Sequence, residues 1–127
     1  MKPAHLEHAN VTVSDLERST KMLCDIFGWH LRWQGKAING GTTAHVGSKD
    51  SYVALFTPLK LSSEKQDSYT TLGGLNHLAV VVDDINATEA RVKAAGLTPG
   101  SHADYEPGLR FYFHDHDGIE YEVVSYP

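Results

Sequence analysis

One cysteine, Cys24, stands in the whole chain. Its solitude excludes an internal disulfide and any cysteine-based zinc site. It falls within a predicted helix, without a basic neighbour to activate the thiol, and is read as inert. Basic residues are also scarce: 11 Lys and Arg face 16 Asp and Glu, for a net charge of -5. A nucleic acid or an anionic membrane surface needs clustered Lys and Arg, so neither is expected as a partner. No run approaches the ~20 consecutive apolar residues of a membrane span. Met1-Lys2-Pro3-Ala4-His5 lacks the apolar core of a signal peptide. A cytoplasmic protein is the simplest expectation. What remains is ordinary globular composition, 41% hydrophobic and 21% charged, in 127 residues that suit one domain with one core.

What the chain does have is a repeat. Leu6-Glu7-His8-Ala9-Asn10-Val11-Thr12-Val13-Ser14-Asp15-Leu16 is echoed by Leu75-Asn76-His77-Leu78-Ala79-Val80-Val81-Val82-Asp83-Asp84-Ile85. Each copy is a strand-like apolar run with a histidine near its start and an acidic helix cap at its end. A metal-capable residue at the same place in each half suggests a site built from both.

The first copy opens with a strand at about residues 5–13. Ser14 and Asp15 then cap a helix reaching about Gly28, with Glu17 placed as in a capping box and Leu16, Leu23, Ile26 and Phe27 as the apolar stripe. Three strands follow at about 29–35, 42–48 and 51–57, with turns at Asn39-Gly40-Gly41 and Lys49-Asp50. After an exposed connector, the second copy repeats the order. A strand at about 76–82 leads to a helix opened by Asp83 or Asp84, with Ile85, Thr88, Val92 and Ala95 on one face and Gly96 at its end. Strands at about 99–103, 109–114 and 119–125 complete it, with Asp117-Gly118 as the last turn. The expected fold is α+β: two βαβββ modules pairing into a curved mixed sheet or half-barrel with the helices outside. A single domain over 1–127 is expected, with module one at about 4–58, the connector at about 59–74 and module two at about 75–127. The modules pair within one chain or by swapping with a dimer mate, and a homodimer is expected.

Strand alternation indicates which side chains face the cleft. Ala9, Val11 and Val13 suit packing under the first helix, leaving His8, Asn10 and Thr12 on the other face. In the second copy Leu78, Val80 and Val82 face the helix, which turns His77 inward. In the last strand Tyr121 and Val123 suit the helix side, so Glu120 and Glu122 face the cleft. Two inward acids are costly unless paired, solvated or metal-bound. His8, His77 and Glu122 thus form a candidate trio, the two-histidine, one-carboxylate set that leaves positions open for substrate and water. Asn10 and Glu120 are candidates to orient the ligands.

These residues resemble the vicinal oxygen chelate superfamily, which includes glyoxalase I, extradiol dioxygenases, methylmalonyl-CoA epimerase, fosfomycin-resistance thiol transferases and bleomycin-binding proteins. The similarity rests on the segments around His8-x-x-x-x-Val13-x-Asp15-Leu16-Glu17-Arg18-Ser19, Leu75-Asn76-His77-x-x-x-Val81 and Phe113-x-x-x-Asp117-Gly118-Ile119-Glu120-Tyr121-Glu122. His116 stands where the family usually has proline. The resemblance implies a divalent metal (Fe, Mn, Ni, Co or Zn) on His8, His77 and Glu122, chelating neighbouring oxygens of a small-molecule substrate. It implies a dioxygenase, lyase or transferase. Glyoxalase-like members take a fourth ligand from module one; counting from Glu122 puts that position at Leu55, which cannot bind metal. Four-ligand proton-shuttling chemistry is accordingly not expected. The fosfomycin enzymes carry a hydroxyl two residues after the first histidine and a serine-rich cation loop. Asn10 and Ser101-His102-Ala103-Asp104-Tyr105-Glu106 stand here instead, so that activity is not carried over. The alternative is a metal-free sequestration protein of the bleomycin-resistance type.

Further candidates are Glu120, His45 and Tyr105 as proton carriers. Asn10, Arg110 and Tyr112 are candidate substrate contacts; Arg110 suits a carboxylate or phosphate, although a solvated surface position is the first expectation for it. His114-Asp115-His116-Asp117 reads as a polar turn rather than a metal cluster. Trp29 and Trp33 share one parity of their strand, in the core or lining a pocket.

Overall fold

The computed structural model describes residues 1–62, 64–105 and 108–126, with the side chains of Asp104 and Tyr105 outside that description. The chain divides into two compact units, Met1–Leu61 and Ser62–Pro127. In the first, β1 (His8–Thr12), α1 (Leu16–Phe27), β2 (His30–Lys36), β3 (Thr42–Gly47) and β4 (Tyr52–Thr57) follow in order. The second repeats it with β5 (Leu78–Val81), α2 (Ile85–Ala94), β6 (Gly100–Tyr105), β7 (Gly108–His114) and β8 (Glu120–Ser125). The fold is therefore α+β with two βαβββ modules. Each sheet is open and mixed, ordered β1-β4-β3-β2 and β5-β8-β7-β6. In both, the strand before the helix runs parallel to the last strand and the other pairings are antiparallel.

The helix ends follow from local chemistry. Asp15 alone is the N-cap of α1, its Oδ1 accepting from the Arg18 amide at 3.1 Å. The expected Ser14–Glu17 capping box is thereby displaced by one residue, and Glu17 instead places negative charge in the first turn, where the helix dipole favours it. Asp84, rather than Asp83, caps α2 by accepting from Ala87 at 3.0 Å. At the other end of α2, Gly96 takes φ 81. Its amide donates to the Lys93 carbonyl while that of Leu97 reaches the Val92 carbonyl, a Schellman closure that a residue with a Cβ would strain.

Burial differs between the modules. Ser19, Met22, Leu23 and Ile26 are buried on α1, against Val11, Val13, Ala44, Val46, Val53 and Leu55 of the core. Met22 and Ser19 replace Leu16 and Phe27 of the expected stripe, both of which are half-buried. On α2 only Thr88 and Val92 are buried, and Ala95 is exposed. The second module instead concentrates its core in the sheet, where Phe111, Phe113, Tyr121 and Val123 are buried and the Phe113 and Tyr121 rings stack at 5.2 Å. One polar link helps hold α2 to the sheet: His102 Nε2 lies 2.6 Å from Glu89 Oε1. No helix among the described residues is long and apolar enough to cross a membrane.

Two outcomes are expected. Asp15→Ala or Asp84→Ala should each lower unfolding free energy by about 1 kcal/mol in urea titration, the usual cost of a lost N-cap. The hydrogen bond from His102, with help from Lys93, holds the Glu89 carboxyl below its ordinary 4.5. A depressed acid stabilises the fold fully above its unfolded value and loses that contribution as pH falls through the folded one. Midpoints measured below pH 4.5 should therefore fall more steeply for the wild type than for Glu89→Gln.

Candidate functional site

On the second module β8 lies between β5 and β7, so side chains on its face away from α2 are covered from both flanks. Glu120 and Glu122 stand there two residues apart, at 8% and 7% exposure. Water is largely denied them, and polar groups converge to compensate. The Tyr69 hydroxyl lies 2.6 Å and 2.5 Å from the two oxygens of Glu120. His114 Nε2 approaches the same carboxylate at 3.3 Å. Glu122 receives His77 Nε2 on Oε1 at 2.9 Å and Arg110 Nη1 on Oε2 at 3.1 Å. The hydrogen bond to Glu120, with burial adding, holds the Tyr69 phenol above its ordinary 10.0.

His77 is aimed by the residue before it. Its Nδ1 lies 2.7 Å from Asn76 Oδ1, which leaves Nε2 for Glu122. The first module uses the same device, with His8 Nδ1 2.9 Å from Glu7 Oε1. A carboxylate only accepts, so Nδ1 of His8 is the donor. The His8 and Tyr52 hydrogen bonds together hold Glu7 below its ordinary 4.5. Glu7 and Asn76 stand at these histidines in the place expected of Asn10 and Glu120. The signal was available: in both repeats a residue able to accept a hydrogen bond immediately precedes the histidine.

The symmetry between modules breaks one residue away from where counting along the sequence put it. Ala9 pairs with Val53, and Leu78 pairs with Tyr121. Tyr52 therefore answers Glu120, Ala54 answers Glu122, and Leu55 answers Val123, both of these last being fully buried core residues. The missing first-module carboxylate is replaced by Ala54, not Leu55. The conclusion that no fourth ligand stands there is unchanged.

The first module's equivalent face carries rings instead of acids. His8 stacks on Tyr52 at 4.8 Å, Tyr52 on His45 at 4.5 Å, and His45 meets Trp33 at 5.2 Å. Burial, with His8 and Arg32 adding, pushes the His45 imidazole below its ordinary 6.5. Trp29 turns elsewhere, with its ring 5.0 Å from that of Phe27. Asn10 is exposed on β1 opposite Ala54.

Among the remaining sequence candidates, Arg110 is not a solvated surface arginine; its side chain is 15% exposed and committed to Glu122. Tyr112 presents its ring edge-on to His77 at 5.9 Å. The backbone of Tyr105 pairs with Gly108, and its side chain lies outside the described residues. The turn after β7 forms as expected: Asp115 Oδ1 accepts from Asp117 and Ile119, both at 2.9 Å. His114 leaves that turn to join Glu120, a role its place in the run did not reveal. Tyr69 belongs to the segment expected as an exposed connector. Lys65 of the same segment donates to the Asp117 carbonyl at 2.8 Å, so this connector is bonded to the second module at both residues. Among the described residues, no group of three His, Cys, Asp or Glu side chains is gathered to hold a metal ion.

Comparison with known proteins gives this geometry a family. No match was found among curated proteins. Among solved structures, a glyoxylase/bleomycin resistance protein/dioxygenase domain from Frankia sp. EAN1pec superposes with a TM-score of 0.84 at 22% identity, covering 99% of this chain and 94% of that one. The fosfomycin resistance protein FosX from Mesorhizobium loti gives 0.71 at 25% identity, covering 97% and 92%. FosX from Listeria monocytogenes, in complex with Mn(II) and sulfate, gives 0.73 at 18% identity, covering 99% and 95%. Residues 5–123 match the family itself, and the chain belongs to the Glyoxalase/Bleomycin resistance protein/Dioxygenase superfamily.

Proposed function

We propose that the protein is a metal-dependent enzyme acting on a small molecule with neighbouring oxygens, and that His8, His77 and Glu122 hold the ion. The observation that carries this reading is the His77–Glu122 contact. Nδ1 of His77 faces the amide oxygen of Asn76 at 2.7 Å, which leaves Nε2 directed at a Glu122 carboxylate oxygen 2.9 Å away. A divalent ion bound there would take the place of the proton between those two atoms. Two ligand atoms at about 2.1 Å from a divalent ion, at right angles, are about 3 Å apart. The pair fits adjacent metal positions without rearrangement, and His8, with Nδ1 tied back by Glu7, offers the same kind of donor. The relative from Listeria monocytogenes was crystallised with Mn(II).

A bound divalent ion would supply Lewis acidity to the substrate oxygens. The chain's own residues do the rest. Asn76 and Glu7 fix the two imidazole orientations. Glu120, within hydrogen-bond reach of Tyr69 and His114, is placed to carry a proton, with Tyr69 setting its direction. His45, its imidazole held below its ordinary 6.5 chiefly by burial, is the corresponding proton carrier on the first module. Tyr105 is a further proton carrier in this reading, and Asn10, Tyr112 and Arg110 are contacts for the substrate. The assembly is a homodimer in the cytoplasm.

One observation favours the metal-free sequestration reading instead. Arg110 already sets a cation against Glu122, at 3.1 Å, and so does part of what an ion would do. Metal content separates the two. Protein purified without chelator or affinity-tag metal is expected to carry about one ion per chain, by elemental analysis, and His77→Ala to carry almost none. A wild type that stays empty after incubation with Fe, Mn, Ni, Co and Zn would overturn the metal-dependent reading. Metal retained by His77→Ala would show that other residues are the ligands. Independently, Tyr69→Phe leaves Glu120 short of a hydrogen bond and should cost about 1–3 kcal/mol of stability by denaturant titration.

A further inference from the structure

The first sheet carries an aromatic ladder that the metal reading leaves without a task. Its rungs follow the strand order β1-β4-β3-β2, one ring from each strand: His8, Tyr52, His45 and Trp33. His8 and Tyr52 are nearly parallel at 11°, Tyr52 and His45 lie at 27°, and the Trp33 indole tilts 53° from His45. All four lie on the face away from α1, because their neighbours Ala44, Val46, Val53 and Leu55 fill the core on the other side. Trp33 remains 50% exposed. A half-exposed indole at the end of a stack offers its free surface to another flat ring.

Two backbone devices serve this ladder. The β2–β3 register shifts between Leu31 and Trp33, so Arg32 is an extra residue in a bulge. Regular alternation would send Arg32 and Trp33 to opposite faces, whereas a bulge re-aims side chains. Here Arg32 sits over the Tyr52 ring at 4.5 Å while Trp33 meets His45 on the same face. One guanidinium nitrogen of Arg32 donates to the Ser48 carbonyl at 3.1 Å, which anchors the cation beside the rings. Gly35 is the second device. A Cβ there would lie 2.6 Å from the Trp33 ring, so the indole lies against β2 only because residue 35 has no side chain. The small residues Ala54 and Gly47, opposite His45 and Tyr52, leave room for the rings to approach.

We infer that this face is a binding platform for a planar, conjugated ring bearing an anionic substituent. The ring stacks on Trp33 and its neighbours, and Arg32 pairs with the negative charge. The inference rests on the preceding reading in one respect: the ladder begins at His8, so the platform names the substrate class of that same centre. Its physical basis needs no metal, which allows the two to be tested apart.

The probes are 2-naphthoate and decahydro-2-naphthoate, with the same charge and carbon skeleton but only the first one flat. Binding is followed by titration calorimetry and by the Trp33 indole N–H shift, with Trp29 as an internal reference, in chelator-treated and metal-supplemented protein. 2-Naphthoate is expected to bind about tenfold more tightly than its saturated partner. Trp33→Leu should remove that preference. Gly35→Val, which keeps the indole but displaces it, should reduce the preference as well, and Arg32→Gln should weaken 2-naphthoate but not neutral 2-naphthalenemethanol. Equal affinity for the two carboxylates, no binding of 2-naphthoate, or full binding by Trp33→Leu overturns the inference. Ring selectivity in a protein that takes up no metal would overturn only the metal reading. Metal uptake without ring selectivity would overturn only the platform.

Discussion

Two carboxylates on one covered strand set the terms for the second module. Glu120 and Glu122 are exposed at 8% and 7%, in a position where water cannot solvate them well. Desolvating such groups is costly unless hydrogen bonds or opposite charge replace the water. Every neighbour of that strand face contributes to the replacement. β7 supplies Arg110 and His114, the segment before β5 supplies His77, and the connector supplies Tyr69. The positions of those groups are therefore consequences of the two acids. Through Tyr69, the connector is bonded to the module for the same reason.

The first module shows what the same scaffold becomes without those acids. At the matching positions it has Tyr52 and Ala54. No buried charge there has to be answered, and the space is filled by stacked rings, with Arg32 above them. On that face the histidine and its tether to the preceding residue persist in both halves. The duplicated architecture thus carries an acidic face on one unit and an aromatic one on the other. This division of chemistry accords with a family in which one fold hosts several activities.

Much of the architecture was readable because it is local. The helix caps, the αL glycines and the alternation of Val11 and Val13 against His8 and Asn10 depend on residues a few positions apart. So do the inward positions of His77, Glu120 and Glu122. Errors arose where one residue of register mattered. The N-cap is Asp15, so the Ser14–Glu17 capping box does not form. The counterpart of Glu122 is Ala54 and not Leu55, because pairing is set by hydrogen bonding across strands and not by counting along them. Tyr69 and His114 were missed for a different reason. Their partner Glu120 lies 51 residues beyond Tyr69, and a polar connector or turn gives no periodic signal of where its side chains go.

By itself, the sequence determined the two-module α+β order, the face on which each histidine lies and the presence of two inward acids, since backbone period and short-range capping dictate all three. Only the tertiary structure decided who answers those acids, that Arg110 is paired and not solvated, and that a bulge at Arg32 brings guanidinium and indole to one face. Each of these depends on strands or segments distant in the chain meeting at a particular register. Residue types along one strand do not encode that meeting; the packing of the whole sheet does.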